Sequence, residues 1–544
     1  MNFKTPLKLL SAVAVTIGFT LAHAQTVLSV FPKTLQTKAK QVSVHLNGES
    51  GFMRKLDLVD RAKAGTTIQL AYFIFENDYT AATLAKKLVE KADAGNKVQI
   101  LVDYYMSDNY LSWLGNMASH PNIQIKRFRP PSPQFLSFLK NDLQMPEPDS
   151  FIKALVKADQ NLILMSLMSS PVLAKHAGAV QLSLKDSSEL SAASIPLLIS
   201  QFKDLEPSLA IKFRFFMIEF TKRMHHKLLI ADTDKGTEFL VGGRNISDEY
   251  HMSVGHQFLQ GRSYPFFDSE ISAVIDAKTS VELKNSFAKL WSSSILNENL
   301  DGLQSADETS KMNNNAEKFN AGLESYKKMA EKGSLAIGDS EMMYTENGPS
   351  SLSSAKQINK TWVKLIERAE KQIDIVSAYF YFTDEMLNAV KAASARKVKI
   401  NIKTNSFTST DMNIVNIAAY KNFSAWKASV GPNLKISELQ KGKGEGSLHA
   451  KIINIDNKIV GIGSANSDPR TQLHDTNNLV VLDLSNNSAM AKKIFDAYTS
   501  SSGLLKLNWA EVTEEMANMI YKKATSEKKG LNEALSLKDF IDQL

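Results

Sequence analysis

Residues 225–232 read HHKLLIAD, and residues 449–456 read HAKIINID. Both stretches have a lysine two positions after a histidine, then a mostly apolar run and a final aspartate. Residues two apart on a β-strand point to the same face of the sheet, so each lysine is expected beside its histidine. The residues that this pattern selects are His225, Lys227, His449 and Lys451.

Each copy is followed, after a gap of strand length, by small residues and an asparagine. The first half has Gly-Gly-Arg-Asn at 242–245, and the second has Gly-Ser-Ala-Asn at 463–466. One His-x-Lys-x4-Asp pattern is weak evidence, because short patterns occur by chance, whereas two copies in the same context are strong evidence. His226 neighbours the first motif, but its alternating position directs it to the opposite face.

The sequence around the motifs is also repeated. The β-rich run at 67–75 precedes a helical pattern and a second strand at 98–102, and the run at 373–382 is followed in the same way by a strand at 398–402. Apolar β-rich runs that alternate with helices indicate βαβ units and a largely parallel sheet. The repeat predicts an α/β protein with two similar halves.

The selected residue types suit the cleavage of a phosphodiester. This reaction needs a nucleophile on phosphorus and an acid on the leaving oxygen, and histidine can do either near neutral pH. Paired lysines and asparagines can hold the non-bridging oxygens and stabilise the transition state. Two facing half-sites would supply both sets without a metal or a cofactor, and none is expected.

At these residues the chain resembles the phospholipase D superfamily, and within it the bacterial cardiolipin-synthase branch. The segments that carry the resemblance are KRMHHKLLIAD, VGGRNISDEY, TNSFTSTD, SLHAKIINID and GSANSDPR, and it covers most of residues 50–490. The resemblance implies an α/β fold of two similar phospholipase D-type α-β-α sandwich domains in one chain, with the active site at their interface. It also implies a covalent phosphohistidine intermediate.

Carried over by position, the resemblance implies that His225 is the nucleophile and that His449 is the acid and later the base. Lys227, Lys451 and the two motif asparagines would bind phosphate. The aspartates that end the motifs are expected to be structural, since they lie at the far end of each strand. The asparagines and aspartates concerned are Asn245, Asn466, Asp232 and Asp456.

The family also orients each histidine with a downstream acidic residue. Asp268 matches that position in the first half and is expected to serve His225. In the second half Asn477 falls where the acid should be, and Asp475 lies two positions away. An asparagine can accept a hydrogen bond from the ring but lends no charge to an imidazolium. This departure favours His225 as the better activated nucleophile and weakens the expectation of full cardiolipin-synthase activity.

The N-terminus has the features of a secretory signal peptide. Two lysines precede an apolar stretch at 9–21, which ends in Ala-His-Ala at 22–24. Residues 1–24 are predicted to be removed on export to the periplasm or beyond; an uncleaved anchor helix is the alternative. The chain contains no cysteine, so disulfides and thiolate chemistry are excluded.

The remaining chain divides by composition and by the repeat. We expect an N-terminal domain at 25–300, a polar linker at 301–335, a C-terminal domain at 336–500 and a helical tail at 501–544. The first half carries an insertion around 130–222, which contains several phenylalanines. This insertion is interpreted either as a cap packed on the core or as a lid or apolar surface that meets lipid.

Together these features predict an exported phosphodiesterase or phosphatidyltransferase that acts on phospholipids and makes transient contact with a membrane surface. Water as the acceptor gives hydrolysis, and an alcohol gives transfer; both remain open, as does the oligomeric state. The alternatives are a nuclease of the same superfamily and a lipid-binding protein with weakened catalysis. The formal charge of +7 allows nucleic acid, but no dense basic patch with interleaved aromatics lies near the motifs, so this partner is disfavoured.

Overall fold

The computed structural model describes residues 28, 31, 34–156, 160–174, 205–253, 256–259, 265–294, 296–348, 356–441, 445–527 and 535. The predicted signal peptide at 1–24 lies outside them. The strands are β1 Leu35–His45, β2 Thr67–Tyr72, β3 Lys97–Asp103, β4 Ile123–Phe128, β5 Lys227–Thr233, β6 Gly236–Gly242, β7 Phe266–Phe267, β8 Glu270–Ile275, β9 Asn297–Asn299, β10 Ser334–Asn347, β11 Gln372–Ser377, β12 Lys399–Asn405, β13 Leu434–Leu439, β14 Ser447–Leu448, β15 Lys451–Ile455, β16 Ile459–Gly463, β17 Asn477–Asp483 and β18 Trp509–Glu511.

Helices alternate with these strands along the chain. They are α1 Gly48–Asp60, α2 Tyr79–Asp93, α3 Tyr104–Ser107, α4 Leu111–Ala118, α5 Pro133–Ser137, α6 Pro148–Val156, α7 Gln160–Met168, α8 Pro207–Thr221, α9 Asp248–His251, α10 Ala277–Ser292, α11 Ala306–Ala321, α12 Leu323–Gly333, α13 Gln357–Glu367, α14 Asp384–Ala395, α15 Asn413–Val430, α16 Pro469–Leu473, α17 Ser488–Thr499 and α18 Glu514–Glu527.

The βαβ units form as the repeat predicts. Strands β2, β3 and β4 are parallel, as are β11, β12 and β13. The crossover helices α2 and α14 begin at side-chain caps, since Asp78 accepts from Ala81 N and Thr383 accepts from Met386 N. The motif strands β5 and β15 run antiparallel beside β2 and β11, and nearly all of their residues are buried.

One mixed sheet runs through both halves of the chain. Its order in the described residues is β9-β4-β3-β2-β5-β6-β8-β1-β10-β17-β16-β15-β11-β12-β13-β18. The order reads symmetrically from the centre, where β1 and β10 pair antiparallel with Leu35 opposite Tyr344. The α/β class is therefore confirmed. The expectation of a largely parallel sheet is wrong, because only β2–β3–β4 and β11–β12–β13 pair in parallel and the other neighbours in this sheet are antiparallel. The sequence also did not predict that the sheets of the two halves would join.

The segment predicted as a linker, 301–335, forms two packed helices instead. Met312 and Phe319 of α11 and Tyr326 of α12 are buried in the core of the first half. The Tyr326 hydroxyl donates to His251 O at 2.6 Å. The polar composition that suggested a linker belongs to the exposed faces of these amphipathic helices.

The described part of the insertion forms α5 to α8 and has a hydrophobic core of its own. Every fully buried member of this core lies between residues 135 and 220, including Phe135, Phe151, Phe213 and Phe220. The predicted tail contributes the edge strand β18, which pairs with β13, as well as the helix α18. In the described part of the chain, no helix combines the length and the apolarity that crossing a membrane requires.

Candidate active site

Each motif histidine lies on a segment that pairs with the other half of the chain. His225 N donates to Thr476 O at 2.8 Å, and Thr476 N donates to Arg223 O at 2.9 Å. In the second motif, β14 pairs in parallel with β7, and His449 N donates to Phe267 O at 2.8 Å. These reciprocal pairings bring the two half-sites together.

The acidic and amide partners of the two histidines are exchanged between the halves. His225 Nδ1 lies 2.9 Å from Asn477 Oδ1, and His449 Nδ1 lies 2.5 Å from Asp268 Oδ2. The expectation that Asp268 would serve His225 is therefore wrong. The cause is the reciprocal pairing: β7, which ends one residue before Asp268, lies alongside the segment that leads into His449.

Asn477 has a defined orientation. Its side-chain nitrogen donates to Thr471 O at 2.9 Å, and its Oδ1 accepts from Ser464 Oγ at 3.0 Å. These two bonds place the amide oxygen of Asn477, which can only accept, towards His225. His225 Nδ1 must therefore carry the proton and donate to Asn477 Oδ1. In the neutral ring this tautomer leaves a lone pair on Nε2 of His225.

Asp268 is buried, and its carboxylate is closely surrounded. Ser269 N donates to Oδ1 at 2.7 Å, and a Cβ at Gly243 would clash with both carboxylate oxygens, so only glycine fits there. Arg244 and Tyr498 both donate to the Asp268 carbonyl. Burial raises the pKa of the Asp268 carboxyl to about 6.

The two motif lysines share the site with the histidines. Lys227 Nζ donates to His225 O at 3.1 Å; Lys451 Nζ donates to His449 O and lies 2.8 Å from His449 Nδ1. Burial lowers the pKa of Lys451 to about 8. Burial, followed by the charge of Lys451, also holds the pKa of Lys227 well below its ordinary value. The site thus brings two buried lysines close together.

The pKa values of both histidines are lowered. For His225 the causes are burial and then the charges of Lys227 and Lys451; for His449 they are burial and the same two lysines, with Arg244. The influence of each lysine on both rings places all four side chains in one electrostatic unit. Of the two rings, only His449 has a carboxylate as its Nδ1 partner.

The motif asparagines occupy equivalent buried positions. Asn245 Oδ1 accepts from Ile74 N at 3.3 Å. Asn466 is 3% exposed, and among the described residues its Oδ1 has no hydrogen-bond partner. A buried amide oxygen without a partner is costly, and a ligand that donates a hydrogen bond would satisfy it.

The motif aspartates bind structural partners away from the histidines. Asp232 forms an ion pair with Lys284 at 2.6 Å. Asp456 accepts from three consecutive backbone nitrogens at the start of β11, which are those of Glu370, Lys371 and Gln372. His226, as expected from its position, points elsewhere and lies 3.2 Å from Glu346 Oε2.

The sequence analysis did not identify two residues that hold the backbone next to the motif histidines. Asp103 ends β3 and accepts from Met224 N at 2.9 Å; Asn405 ends β12 and accepts from Leu448 N at 2.9 Å. Each holds the residue that directly precedes a motif histidine. Their equivalent places in the repeat, at the carboxyl ends of parallel strands, were the available signal.

Aromatic rings, which the sequence analysis also missed, surround the histidines. Phe73 packs edge-on to His225 with ring centroids 5.0 Å apart. Tyr250 and Phe266 pack in the same way on His449, at 5.1 and 5.2 Å. Among the described residues, no cluster of three His, Asp or Glu side chains is arranged to hold a metal ion.

The chain is similar in sequence to several known proteins. A family model described as the cardiolipin synthase, PLD-like domain, matches residues 362–499. An uncharacterized Helicobacter pylori protein is 22% identical over 497 residues, which is 87% of this chain and 82% of that protein. Cardiolipin synthase C of Escherichia coli is 26% identical over 345 residues, covering 56% of this chain and 69% of the synthase.

The fold also has a solved counterpart. The crystal structure of phosphatidylserine synthase from Haemophilus influenzae covers 93% of this chain and 96% of its own, with a TM-score of 0.53 and 10% identity. At this identity the match concerns the fold alone. The family model over residues 362–499, the paired motifs and the sequence relatives together support the phospholipase D superfamily for this chain.

Proposed function

We propose that this protein transfers the phosphatidyl group of a phospholipid to water or an alcohol, through a phosphohistidine formed on His225. The observation that carries the proposal is the unequal pair of Nδ1 partners: the amide of Asn477 for His225 and the carboxylate of Asp268 for His449. Both imidazole rings lie near Lys227 and Lys451, but their different partners suit His225 to nucleophilic attack and His449 to proton transfer.

His225 suits the nucleophilic step. Burial and the nearby lysines lower the pKa of its imidazole, so the ring is neutral at physiological pH. Its Nδ1 donates to a neutral acceptor, and the Nε2 lone pair remains available. The role is the one that the sequence suggested, but it now rests on Asn477, since Asp268 is not the partner of His225.

His449 suits the acid step. A carboxylate at Nδ1 stabilises the imidazolium form relative to an amide in the same place. In the free protein, burial and the lysines lower the pKa of His449. An anionic phosphodiester between Lys227 and Lys451 offsets the charge of these lysines, so substrate binding favours protonation of His449.

The proposed cycle has two displacements. His225 Nε2 attacks phosphorus and forms a P–N bond, while the leaving oxygen takes a proton from His449. The acceptor, water or an alcohol, then gives a proton to His449 and attacks phosphorus, and the P–N bond breaks. Lys227, Lys451, Asn245 and Asn466 hold the non-bridging oxygens.

Support for a phospholipid substrate comes from the match to the cardiolipin synthase domain and to a cardiolipin synthase. Purified protein incubated with labelled phospholipids should release phosphatidic acid, and added glycerol or phosphatidylglycerol should give transfer products. Activity should persist in EDTA, because the lysines supply the positive charge that a metal would provide. Cleavage of single-stranded DNA without any lipid turnover would overturn the proposal.

The proposed place of action is outside the inner membrane, on the strength of the signal-peptide pattern at residues 1–24. Mass spectrometry of the exported protein should find Gln25 as the first residue. An intact Met1 in that fraction would instead support an uncleaved anchor.

A further inference from the structure

The described part of the insertion concentrates exposed apolar side chains. Nine large hydrophobic side chains are exposed in the described residues, and five of them lie on α7 and α8. These five are Leu162, Met165, Met168, Ile211 and Phe215. The insertion has its own buried core, so these exposed residues lie on the surface of the insertion and not at a gap in the main core. Contiguous exposed apolar surface marks interaction sites.

Helix α8 carries the most distinctive part of this face. Ile211 and Phe215 are 68% and 58% exposed, and Lys212 and Arg214, on the same stretch, are also exposed. The acidic residue of α8, Glu219, lies near the other end and pairs with Arg129 and Lys222. Lys212 forms an ion pair with Asp142 at 3.1 Å, and an exposed pair of this kind is weak enough to exchange for a lipid phosphate. Residues 208–215 themselves contain two cations and no acid, which complements a bilayer with anionic headgroups.

An apolar groove continues this face between α5 and α8. Its volume is about 600 Å³, and the side chains that line it include Phe138, Ile211, Lys212, Phe215 and Phe216. Phe216 also stacks on Phe135 of α5 with ring centroids 5.5 Å apart, which fixes α8 on the insertion. The face is thus a rigid part of the fold.

The same helix leads directly into the catalytic segment. Arg470 donates to the carbonyl of Thr221, the last residue of α8, and Arg223 N donates to Asp475 Oδ1 at 2.8 Å. His225 follows two residues later. A partner that binds to α8 would therefore be held at a fixed position relative to His225.

We propose that the outward side of residues 208–215 in α8 is a docking surface for an anionic phospholipid bilayer. This inference rests on the proposed function, for which such a bilayer is the source of substrate. Ile211 and Phe215 enter the interfacial region, while Lys212 and Arg214 contact the headgroup phosphates.

The test measures binding of the full chain to vesicles by co-sedimentation. Mixed phosphatidylglycerol and phosphatidylcholine vesicles should bind the wild-type protein, and added salt should weaken this binding. The double variant Ile211→Ser/Phe215→Ser should bind roughly tenfold to a hundredfold more weakly, since two apolar side chains no longer leave water. Lys212→Gln/Arg214→Gln should lose affinity for the anionic vesicles and not for pure phosphatidylcholine.

Val281→Ser/Leu303→Ser is the matched control, because these residues are 59% and 58% exposed on other surfaces. It should bind like the wild-type protein. Unchanged vesicle binding by the Ile211/Phe215 variant, as expected if another part of the chain or a second copy covers this face, overturns the inference.

Turnover separates this inference from the proposed function. The Ile211/Phe215 variant should lose turnover of vesicles and retain turnover of a short soluble phosphodiester, which also shows that it is folded. If wild-type protein binds vesicles through α8 but never cleaves their lipids, the docking surface stands and the proposed function fails. Equal loss on vesicles and on the soluble substrate would make this face structural and overturn the inference.

Discussion

The surroundings of His225 and His449 derive from one repeat but differ in charge. The Nδ1 partner of His449 is Asp268, which lies between β7 and β8, and the Nδ1 partner of His225 is Asn477, the first residue of β17. The sheet register makes two further positions comparable, since Gly242 lies opposite Glu270 and Gly463 lies opposite Leu479. A buried acid in the first half thus corresponds to a leucine in the second.

Buried ions accompany the carboxylate. Glu270 pairs with Lys55 and, at 3.4 Å, with Arg244, which also donates to the Asp268 carbonyl. A buried carboxylate is costly unless opposite charges and hydrogen-bond donors compensate for it. Asn477 is neutral and carries no such cost, and the second half has Ala465 and Leu479 where the first has Arg244 and Glu270.

In the proposed mechanism, the amide of Asn477 beside His225 and the carboxylate of Asp268 beside His449 give the two histidines different roles. Both rings are near the same two lysines, and the pKa values of both are lowered by burial. The Nδ1 partner is an amide for His225 and a carboxylate for His449, and His449 is also influenced by Arg244. The following predictions test whether that partner determines which histidine attacks and which donates a proton.

The largest effect is expected from removing each histidine. His225→Ala should show neither a burst nor a phosphoenzyme on a nitrophenyl phosphodiester, because the nucleophile is absent. His449→Ala should retain the burst and accumulate phosphoenzyme, since a good leaving group needs little protonation and the base for the second step is missing. On a poor leaving group it should lose roughly 10²- to 10⁴-fold in rate. Rapid quench and intact-protein mass spectrometry measure both, and the opposite pattern would reverse the roles.

Asp268→Asn makes the two Nδ1 partners alike and should give the next largest effect. Without the carboxylate, the imidazolium form of His449 is less stable, so proton donation to a poor leaving group should slow by about 10- to 100-fold. The rate on the nitrophenyl substrate should change far less. Steady-state turnover of the two substrates gives the comparison, and equal losses on both would mean that Asp268 supports the fold rather than proton transfer.

Asn477→Asp introduces a carboxylate on the other side. In the wild-type protein the lowered pKa of His225 keeps the ring neutral, so the burst rate should stay high through neutral pH and fall only below the ordinary imidazole range. The new carboxylate favours the protonated ring and should move this acidic limb about one to two pH units upward. At alkaline pH the burst rate of the variant should match that of the wild type. A pH profile of the burst rate that matches the wild type would contradict the comparison.

Ser464→Ala should have the smallest effect. It removes the hydrogen bond to Asn477 Oδ1 and the one that Ser464 Oγ accepts from Asn478 N, each 3.0 Å long, but leaves the bond from the Asn477 side-chain nitrogen to Thr471 O. We expect a loss of about 1 kcal/mol in the free energy of unfolding and a severalfold lower burst rate. Chemical denaturation and the burst assay measure these changes. A loss as large as that of His225→Ala would show that Ser464 takes part in the chemistry itself.

Much of the fold followed from local patterns. The strands β2, β5, β11 and β15 and the crossover helices have strong periodicity and were located from the sequence. The segment 301–335 was misinterpreted because its apolar positions are sparse, and only packing on the first half shows that they form a buried stripe. The join of β1 with β10 was also missed, since strand pairing between distant segments has no local signal.

The sequence by itself determined which residue types the site contains. The two His-x-Lys motifs, the asparagines after them and the substitution at Asn477 are all explicit in the order of residues, and the strand period places each lysine beside its histidine. It also determined that Asp232 and Asp456 lie at strand ends, away from the reacting atoms.

Only the tertiary structure decided which partner orients which histidine. Asp268 and Asn477 occupy equivalent places in the repeat, and no spacing in the sequence states whether each serves its own half or the other. The choice depends on the pairing of β14 with β7 and of residues 223–225 with Thr476, which are contacts between segments about 180 and 250 residues apart. Such contacts depend on how both halves pack. Only the folded chain therefore determines which histidine has the charged partner, Asp268, and which has the neutral partner, Asn477.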